Sequence, residues 1–291
     1  MNRSVYLATP AVQHFVEWLS RHLDSAALQH RYTHRKTRQD WQFQGVSDAW
    51  RQYHWSHPAI SRLNVEKGST AASNAKALAA LQTDLQAALQ RMDDDAACQA
   101  AIEVMIWGGV QGRNVNWLQQ NRKGLAATLV ATRDAIDQGQ LDVAILCNKA
   151  LRFNAGMTKV YSLICRDFII YDSRVAAALG WLVVRYCEEQ GLSAVPKTLA
   201  FPWAAAKEDN TATPKNRNPG QGSLSFPRLR TGAFHAQWNM RASWLLHAVL
   251  ASGAVTGEAF TGENALRNLE AALFMLGYDL GGHRNDNSSA A

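Results

Sequence analysis

Two charged residues near the middle of the chain have types and a spacing suited to chemistry on a nucleotide sugar, namely Lys159 and Asp172. An ionised carboxylate beside a sugar stabilises the positive charge that builds on C1′ as a base departs, and it also orients water for attack. A partly desolvated lysine that loses its proton can attack C1′ as a Schiff-base nucleophile. The pair therefore fits chemistry at an anomeric carbon.

The surrounding sequence places both residues near predicted helix starts. Residues 153–156 break one helix and feed a second that carries Lys159, while 169–171 lead to Asp172 at the start of a third. The second helix covers about 10 Å at 1.5 Å per residue, and the extended segment after it spans up to about 20 Å. The chain can therefore return Asp172 towards Lys159. At the predicted N-cap, exposed amides favour an ionised carboxylate, and helix starts present amides to phosphates.

The segment Thr158-Lys159-Val160, followed by Tyr171-Asp172-Ser173-Arg174-Val175, resembles the hairpin lysine and downstream aspartate of helix-hairpin-helix DNA glycosylases. It is most similar to the branch with the 8-oxoguanine-glycosylase fold. The motif covers about residues 150–180, and the helical layout of about 70–280 is compatible with it. The resemblance implies that Asp172 is the catalytic acid residue, that Lys159 is the candidate lyase nucleophile, and that no metal or organic cofactor is required.

The hairpin departs from the family pattern at its glycines. Members usually carry glycines two and four positions before the lysine, where this chain has Met157 and Ala155, and the nearby glycine is Gly156. Lys159 and Asp172 also lie closer in sequence than in typical members, so the helix between them must be shorter. The chemistry is therefore assigned first to Asp172, and lyase activity is left open.

Helical periodicity dominates the chain, most clearly from Asn74 to Met92, where Leu78, Leu81, Leu85 and Leu89 recur at steps of three and four residues. Further helices are predicted over 10–23, 95–107, 122–137, 141–152, 157–166, 173–190, 239–252 and 263–277. No stretch shows convincing strand alternation with hairpin turns. We therefore expect a mainly α fold, with the helix-hairpin-helix glycosylase fold implied by the resemblance.

Composition divides the chain into three parts. Residues 1–68 are predicted to form a basic and aromatic N-terminal region packed on the core. Residues 69–284 form the expected helical glycosylase core, with its hairpin at 153–175 and a long loop, rich in Pro, Gly and Asn, at 201–232. Residues 285–291 are predicted to be a disordered tail.

The net charge and the spacing of the cysteines indicate which partners and metal sites to expect. A net charge of +6 in 291 residues is compatible with a polyanion, and double-stranded DNA with modified bases is the expected partner. The four cysteines lack CxxC spacing, and His54 and His57 lack further ligands, so neither an iron–sulfur cluster nor a zinc site is expected. No signal peptide is evident, and the apolar run Val175–Val184 is too short to cross a bilayer. We expect a cytoplasmic monomer without a membrane partner.

Two groups of residues are expected to contact the DNA. Cationic and polar side chains predicted to hold the backbone are Thr158, Arg174, Arg113, Arg35, Lys36, Lys215, Arg217 and Arg228. The expected base pocket comprises Trp107, Gly108, Gly109, Gln111 and Trp238. Glycines after an apolar helix let the backbone approach a flipped base, although a plain glycine C-cap is the slightly favoured explanation of them.

Three functions remain open on the sequence. The resemblance suggests a glycosylase that removes a modified base, including the possibility of antiviral defence, because the bacterial branch contains enzymes that attack phage bases such as glucosylated hydroxymethylcytosine. A second alternative is a glycosylase/lyase that repairs 8-oxoguanine. The third is a non-catalytic helix-hairpin-helix DNA-binding module in which Asp172 only caps a helix. The Lys159–Asp172 pair argues against the third, because binding a polyanion needs no carboxylate.

Overall fold

A computed structural model describes residues 1–207, 215–255 and 257–281, and the fold is mainly helical. The predicted tail at 285–291 and part of the predicted loop at 201–232 lie outside the described residues. The helices are α1 (Arg3–Leu7), α2 (Pro10–His22), α3 (Val46–Arg51), α4 (Ala71–Gln90), α5 (Asp94–Trp107), α6 (Gly112–Gln120), α7 (Leu125–Asp137), α8 (Ala144–Cys147), α9 (Met157–Ile164), α10 (Ser173–Glu189), α11 (Ala233–Ala251) and α12 (Ala265–Leu276). Within those ranges, none of the helices has both the length and the apolar character to span a membrane.

The described residues form two compact units, and each unit is assembled from several stretches of chain. The first unit contains residues 1–8, 53–172 and 230–247. The second contains 9–52, 173–229 and the chain from 248 onwards. The expected boundary at residue 68 matches neither unit, because the chain enters each unit more than once. Most of the predicted loop at 201–232 belongs to the second unit.

The first unit is built on α4, which packs against α5, α7 and α9. Helix α4 begins at a capping box, in which the side chains of Thr70 and Ser73 each bind the other residue's backbone amide. The predicted leucine stripe faces this core, since Leu81, Leu85 and Leu89 are buried. Helix α5 packs in turn against α6 and α9, so the helix that carries Lys159 rests on both long helices.

The segment before α9 differs from the predicted helix over 141–152. Only Ala144–Cys147 is helical there. The Asn148 side chain accepts a hydrogen bond from the Ala150 amide at 2.9 Å, and such local side-chain bonds compete with a helix. Helix α6 was not predicted, because Gly112-Arg113-Asn114 is a poor helix-forming start.

The second unit is organised around α10, which packs against α2 and α12, while α3 packs against α12. The apolar run Val175–Val184 is almost entirely buried in this helix. Gly277, after the end of α12, lies so close to the Arg174 carbonyl that a Cβ would overlap it. Glycine is therefore required where α12 ends against the start of α10.

The described chain also contains four short strands, which the sequence did not predict: β1 (His30–Thr33), β2 (Asp40–Phe43), β3 (His54–His57) and β4 (Gly68–Thr70). Strand β1 pairs antiparallel with β2 in the second unit, and β3 with β4 in the first. In β1, buried His30 and Tyr32 alternate with exposed residues, so the mixture of basic and aromatic residues is the period-2 pattern of a hairpin.

We predict that Leu81→Ala destabilises the protein by about 2–5 kcal/mol, because the substitution leaves a cavity under α4 that its neighbours cannot fill. The matched control is Gln82→Ala, an exposed neighbour on the same helix, for which a change within about 0.5 kcal/mol is expected. Urea denaturation followed by circular dichroism measures both. Equal effects of the two substitutions would contradict the packing described for α4.

Candidate active site

The first unit brings Lys159 and Asp172 together. Lys159 lies on α9, and Asp172 is the residue immediately before α10. The lysine Nζ lies 3.6 Å from Asp172 Oδ2, and the side chains are only 7% and 15% exposed. The same Nζ donates to the Ala155 carbonyl at 3.3 Å. The lysine is buried and the aspartate is partly exposed, and because opposite charges attract more strongly away from water, the two side chains form an amine–carboxylate ion pair at the end of a helical hairpin.

Gly108 makes room for the lysine. Helix α5 ends in a Schellman motif: the Gly109 amide donates to the Ile106 carbonyl, and the Val110 amide donates to the Met105 carbonyl. Gly109 adopts the left-handed conformation that this motif requires, with φ +62°. A Cβ on Gly108 would overlap the aliphatic part of Lys159. The glycines at this turn thus serve both as a C-cap and as the space for a charged side chain.

The segment that leads to Asp172 is held by polar side chains of α11. Asn239 Nδ2 donates to the Ile169 carbonyl at 2.9 Å, and Ser243 Oγ accepts from the Ile169 amide at 3.2 Å. One turn earlier, His235 Nε2 lies 2.8 Å from the Tyr171 carbonyl. These three buried residues were not predicted from the sequence. Their signal is a four-residue spacing of polar residues along one side of an apolar helix.

His235 is a neutral histidine in the fold. Burial lowers its pKa to about 4; the hydrogen bond to Tyr171 and the charge of Asp172 act in the opposite direction, and Lys159 adds to the lowering. Because a carbonyl oxygen only accepts, Nε2 carries the ring hydrogen. The ring lies between Phe153 and Tyr171, with centroids 5.8 Å from each. His235 therefore holds the backbone of the residue that precedes Asp172.

The turn before α9 is closed by two asparagines. Asn154 Oδ1 accepts from the Gly156 and Met157 amides at 2.9 and 3.0 Å. Buried Asn114, on α6, accepts from Asn154 Nδ2 at 2.9 Å and from Arg152 Nε at 2.7 Å. A Cβ on Gly156 would overlap the Asn114 amide. The glycine of this hairpin therefore serves side-chain packing against α6.

Two residues that were predicted to contact the DNA backbone are buried instead. Thr158 is fully buried, and its hydroxyl donates to the Ala155 carbonyl at 3.0 Å. Arg217, in the second unit, is also buried and donates to Ser173 Oγ and to the Tyr278 carbonyl. Both predictions are corrected: these side chains stabilise the fold and do not reach the surface where a phosphate would lie.

Several other predicted cations meet around Tyr278 in the second unit. The Arg174 guanidinium lies 4.9 Å from the centre of this ring, and Lys215 Nζ lies 5.4 Å from it. The Arg35 amide donates to the Tyr278 hydroxyl, and the Arg35 guanidinium pairs with Asp279 at 2.6 Å. Tyr278 thus contacts residues that are distant in sequence. They come from the β1–β2 hairpin, from α10 and from the predicted loop. Lys36, next to this cluster in sequence, is exposed.

The remaining predicted residues differ in their exposure. Trp238 is buried beneath the Arg241 guanidinium, which lies 4.7 Å from the ring centre, and buried Trp107 donates to Asn74 Oδ1 at 3.0 Å. These two rings are core side chains, as large aromatics in helical proteins usually are. The exposed residues are Gln111 and Arg113 in the first unit and Arg228, whose guanidinium stacks on Trp203, in the second.

Comparison with known proteins adds no assignment. No protein-family model matches the chain, and no curated protein or solved structure matches it significantly. Function is therefore inferred from the Lys159–Asp172 geometry together with the sequence motif.

We predict that His235 makes the folded protein less stable as the pH falls from about 6.5 towards 4. In the unfolded chain the imidazole binds a proton near its ordinary pKa of 6.5, whereas in the fold its pKa is lowered to about 4. The unfolded state thus binds the proton first, and stability present above pH 6.5 is lost on acidification, by about 3 kcal/mol at pH 4.

Urea denaturation at pH 4.5 and 7 measures this dependence. His235→Gln retains an N–H donor for the Tyr171 carbonyl but does not titrate, so its acid sensitivity should be smaller than that of the wild type. His14→Gln, at an exposed histidine, serves as the control and should behave as the wild type does. If His235→Gln and the wild type lose stability equally, the buried neutral histidine is not the cause.

Proposed function

We propose that the protein is a DNA glycosylase that extrudes a modified nucleotide and cleaves its N-glycosidic bond, leaving an abasic site. The observation that carries the proposal is the ion pair between buried Lys159 and Asp172, with Nζ and Oδ2 3.6 Å apart at a helical hairpin. The resemblance of residues 150–180 to helix-hairpin-helix glycosylases supports the same reaction. A non-catalytic DNA-binding module gives no reason to bury a carboxylate next to a lysine near a polyanion.

Asp172 is the proposed catalytic carboxylate. As the C1′–N bond breaks, the bonding pair leaves with the base and positive charge builds on the sugar. A carboxylate that is already fixed in place stabilises this charge without reorganisation. The bonds from α11 to Ile169 and Tyr171 hold the approach to Asp172, so its carboxylate is preorganised. Water then attacks C1′ and loses a proton, which the departed base anion takes up, so that the products are the neutral base and the abasic sugar.

Lys159 contributes a cation next to the carboxylate and, once deprotonated, an amine nucleophile. To attack C1′ the lysine must first give up a proton. A proton passed to Asp172, whose Oδ2 lies 3.6 Å away, would neutralise the carboxylate that stabilises the sugar cation. The Ala155 carbonyl also holds the ammonium. With the altered hairpin, we propose a mainly monofunctional enzyme in which the lysine chiefly positions the carboxylate and the sugar.

The proposed substrate is DNA with bulky cytosine modifications, such as the glucosylated hydroxymethylcytosine of phages, and the role is antiviral defence. This part of the proposal rests on the family resemblance. Repair of 8-oxoguanine is the alternative within the same reaction class, and the two differ in which base the protein releases. Both require base flipping, because neither target atom is accessible inside the duplex.

We predict that Asp172→Asn abolishes base release and leaves DNA affinity unchanged or higher, since the variant loses the carboxylate that stabilises the sugar cation and also a negative charge near phosphates. The assay incubates the protein with hypermodified phage DNA, with duplexes containing 8-oxoguanine and with unmodified host DNA, and then counts alkali-labile sites. We expect such sites in the phage DNA alone.

The matched control is Asp167→Asn, which alters a more exposed aspartate of the same segment. Its positive φ of 47° is a conformation that asparagine tolerates, and wild-type rates are expected. Activity of Asp172→Asn within about tenfold of wild type, equivalent to 1.4 kcal/mol, would contradict the catalytic assignment. Efficient release of 8-oxoguanine with intact phage DNA would favour the repair alternative.

A separate prediction concerns Lys159 as a nucleophile. Borohydride reduces a lysine–sugar imine to a stable adduct, and we expect such an adduct in a minor fraction of the DNA from the wild type and none from Lys159→Gln. Lys149→Gln, at an exposed lysine before the hairpin, should trap as the wild type does. Efficient trapping with strand scission in the absence of alkali would show that the enzyme is bifunctional.

A further inference from the structure

A pair of guanidinium groups lies next to the hairpin of the first unit. Burial lowers the pKa of Arg152, and the neighbouring Arg113 lowers it further. Neither arginine forms an ion pair with a carboxylate within residues 1–207, 215–255 and 257–281. Of these two residues, only Arg113 was singled out by the sequence. Like charges that no carboxylate neutralises repel each other, and an anion relieves this repulsion.

The pair is built into the fold through Asn114. Arg152 Nε donates to Asn114 Oδ1 at 2.7 Å, and Asn114 Nδ2 donates to the Val110 carbonyl at 2.8 Å. Arg113 precedes Asn114 on α6 and is exposed. The Arg152 carbonyl accepts from the buried Tyr161 hydroxyl at 2.9 Å. Arg152 is thus fixed at its Nε and at its backbone, and its terminal nitrogens retain their N–H donors.

The backbone amides of the hairpin are already used within the protein. Asn154 Oδ1 accepts from the Gly156 and Met157 amides. The Thr158 and Lys159 amides donate to the carbonyls of Asn154 and Gly156 at 3.0 and 3.1 Å. These four consecutive amides therefore cannot bind a phosphate without breaking internal hydrogen bonds. Any anion at this turn must be bound by side chains.

We propose that Arg152 and Arg113 together bind a phosphodiester of the DNA backbone, an inference that rests on the proposed function and adds a specific phosphate contact to it. Guanidinium forks match the oxygens of a phosphate and remain charged at all physiological pH values. Tyr161, which contacts the Arg152 carbonyl, lies two residues after Lys159 on α9. The phosphate contact is therefore connected directly to the helix that carries the lysine.

The test measures the affinity for an unmodified fluorescein-labelled duplex by anisotropy over a range of salt concentrations. Each phosphate contact contributes a slope of about 0.9 in log Kd against log salt. We expect Arg113→Ala and Arg152→Ala each to reduce the slope by about one and to weaken binding roughly tenfold at 0.1 M salt, and the double variant to reduce the slope by about two. The control is Arg133→Ala, whose guanidinium is paired with Asp134, and the wild-type slope is expected.

Two variants guard against an effect of misfolding. Arg113 is exposed and its side chain makes no hydrogen bond to the described residues, so Arg113→Ala should keep the wild-type thermal midpoint. Arg152→Lys keeps the charge and should retain most of the salt slope. An unchanged salt slope for DNA binding in both alanine variants would overturn the proposal. It would also be overturned if the two substitutions weakened binding of an RNA duplex and left binding of the DNA duplex unchanged.

The assay needs no catalysis, so it separates this proposal from the proposed function. Reduced slopes in the arginine variants, combined with no base release from any DNA, would leave the phosphate site standing and refute the glycosylase. Base release that depends on Asp172, combined with unchanged salt slopes in the arginine variants, would support the glycosylase and refute the phosphate site. A wild-type protein that binds no DNA would refute both.

Discussion

The burial of an ammonium next to a carboxylate is the constraint on which the candidate site depends. Removing Lys159 and Asp172 from water costs free energy, and their mutual attraction offsets this cost only when both are held close together and hydrogen-bonded. Several surrounding features hold the two side chains close together and supply hydrogen bonds. Gly108 leaves space for the lysine, the Ala155 carbonyl accepts from its ammonium, and α11 holds the segment before the aspartate. Each of these features would be hard to explain if the two charges were separate.

Helix α11 shows how one element can be core and scaffold at once. Most of its apolar side chains are buried, and buried His235, Asn239 and Ser243 bind backbone atoms of residues 169–171. That segment is neither helix nor strand, so its amides and carbonyls lack the partners that regular structure would supply. The polar face of α11 supplies them, and a non-repetitive segment becomes rigid enough to position a carboxylate.

Most of the helices could be predicted from the sequence because their apolar periodicity is strong, as in α4. The number of residues between Lys159 and Asp172 showed only that the two can approach each other, and the structure places Nζ and Oδ2 3.6 Å apart. The hairpins β1–β2 and β3–β4 could not, since a strand of only three or four residues provides too few repeats to reveal its period. The partition into two units also escaped prediction, because residues 9–52 and 173–229 meet only through tertiary packing. Thr158 and Arg217 were misjudged for a related reason: residue type indicates polarity, whereas burial depends on neighbours distant in sequence.

The contact between Gly156 and Asn114 has a consequence for how this chain can evolve. A Cβ at position 156 would overlap the Asn114 side chain, which would have to shift, and a smaller residue at 114 would remove the acceptor used by Arg152 and Asn154. A single mutation at either site is therefore disfavoured, and the viable path is a joint replacement of several positions. Lineages descended from this chain should thus inherit positions 114, 152, 154 and 156 as one block, and a change at one should be accompanied by changes at the others.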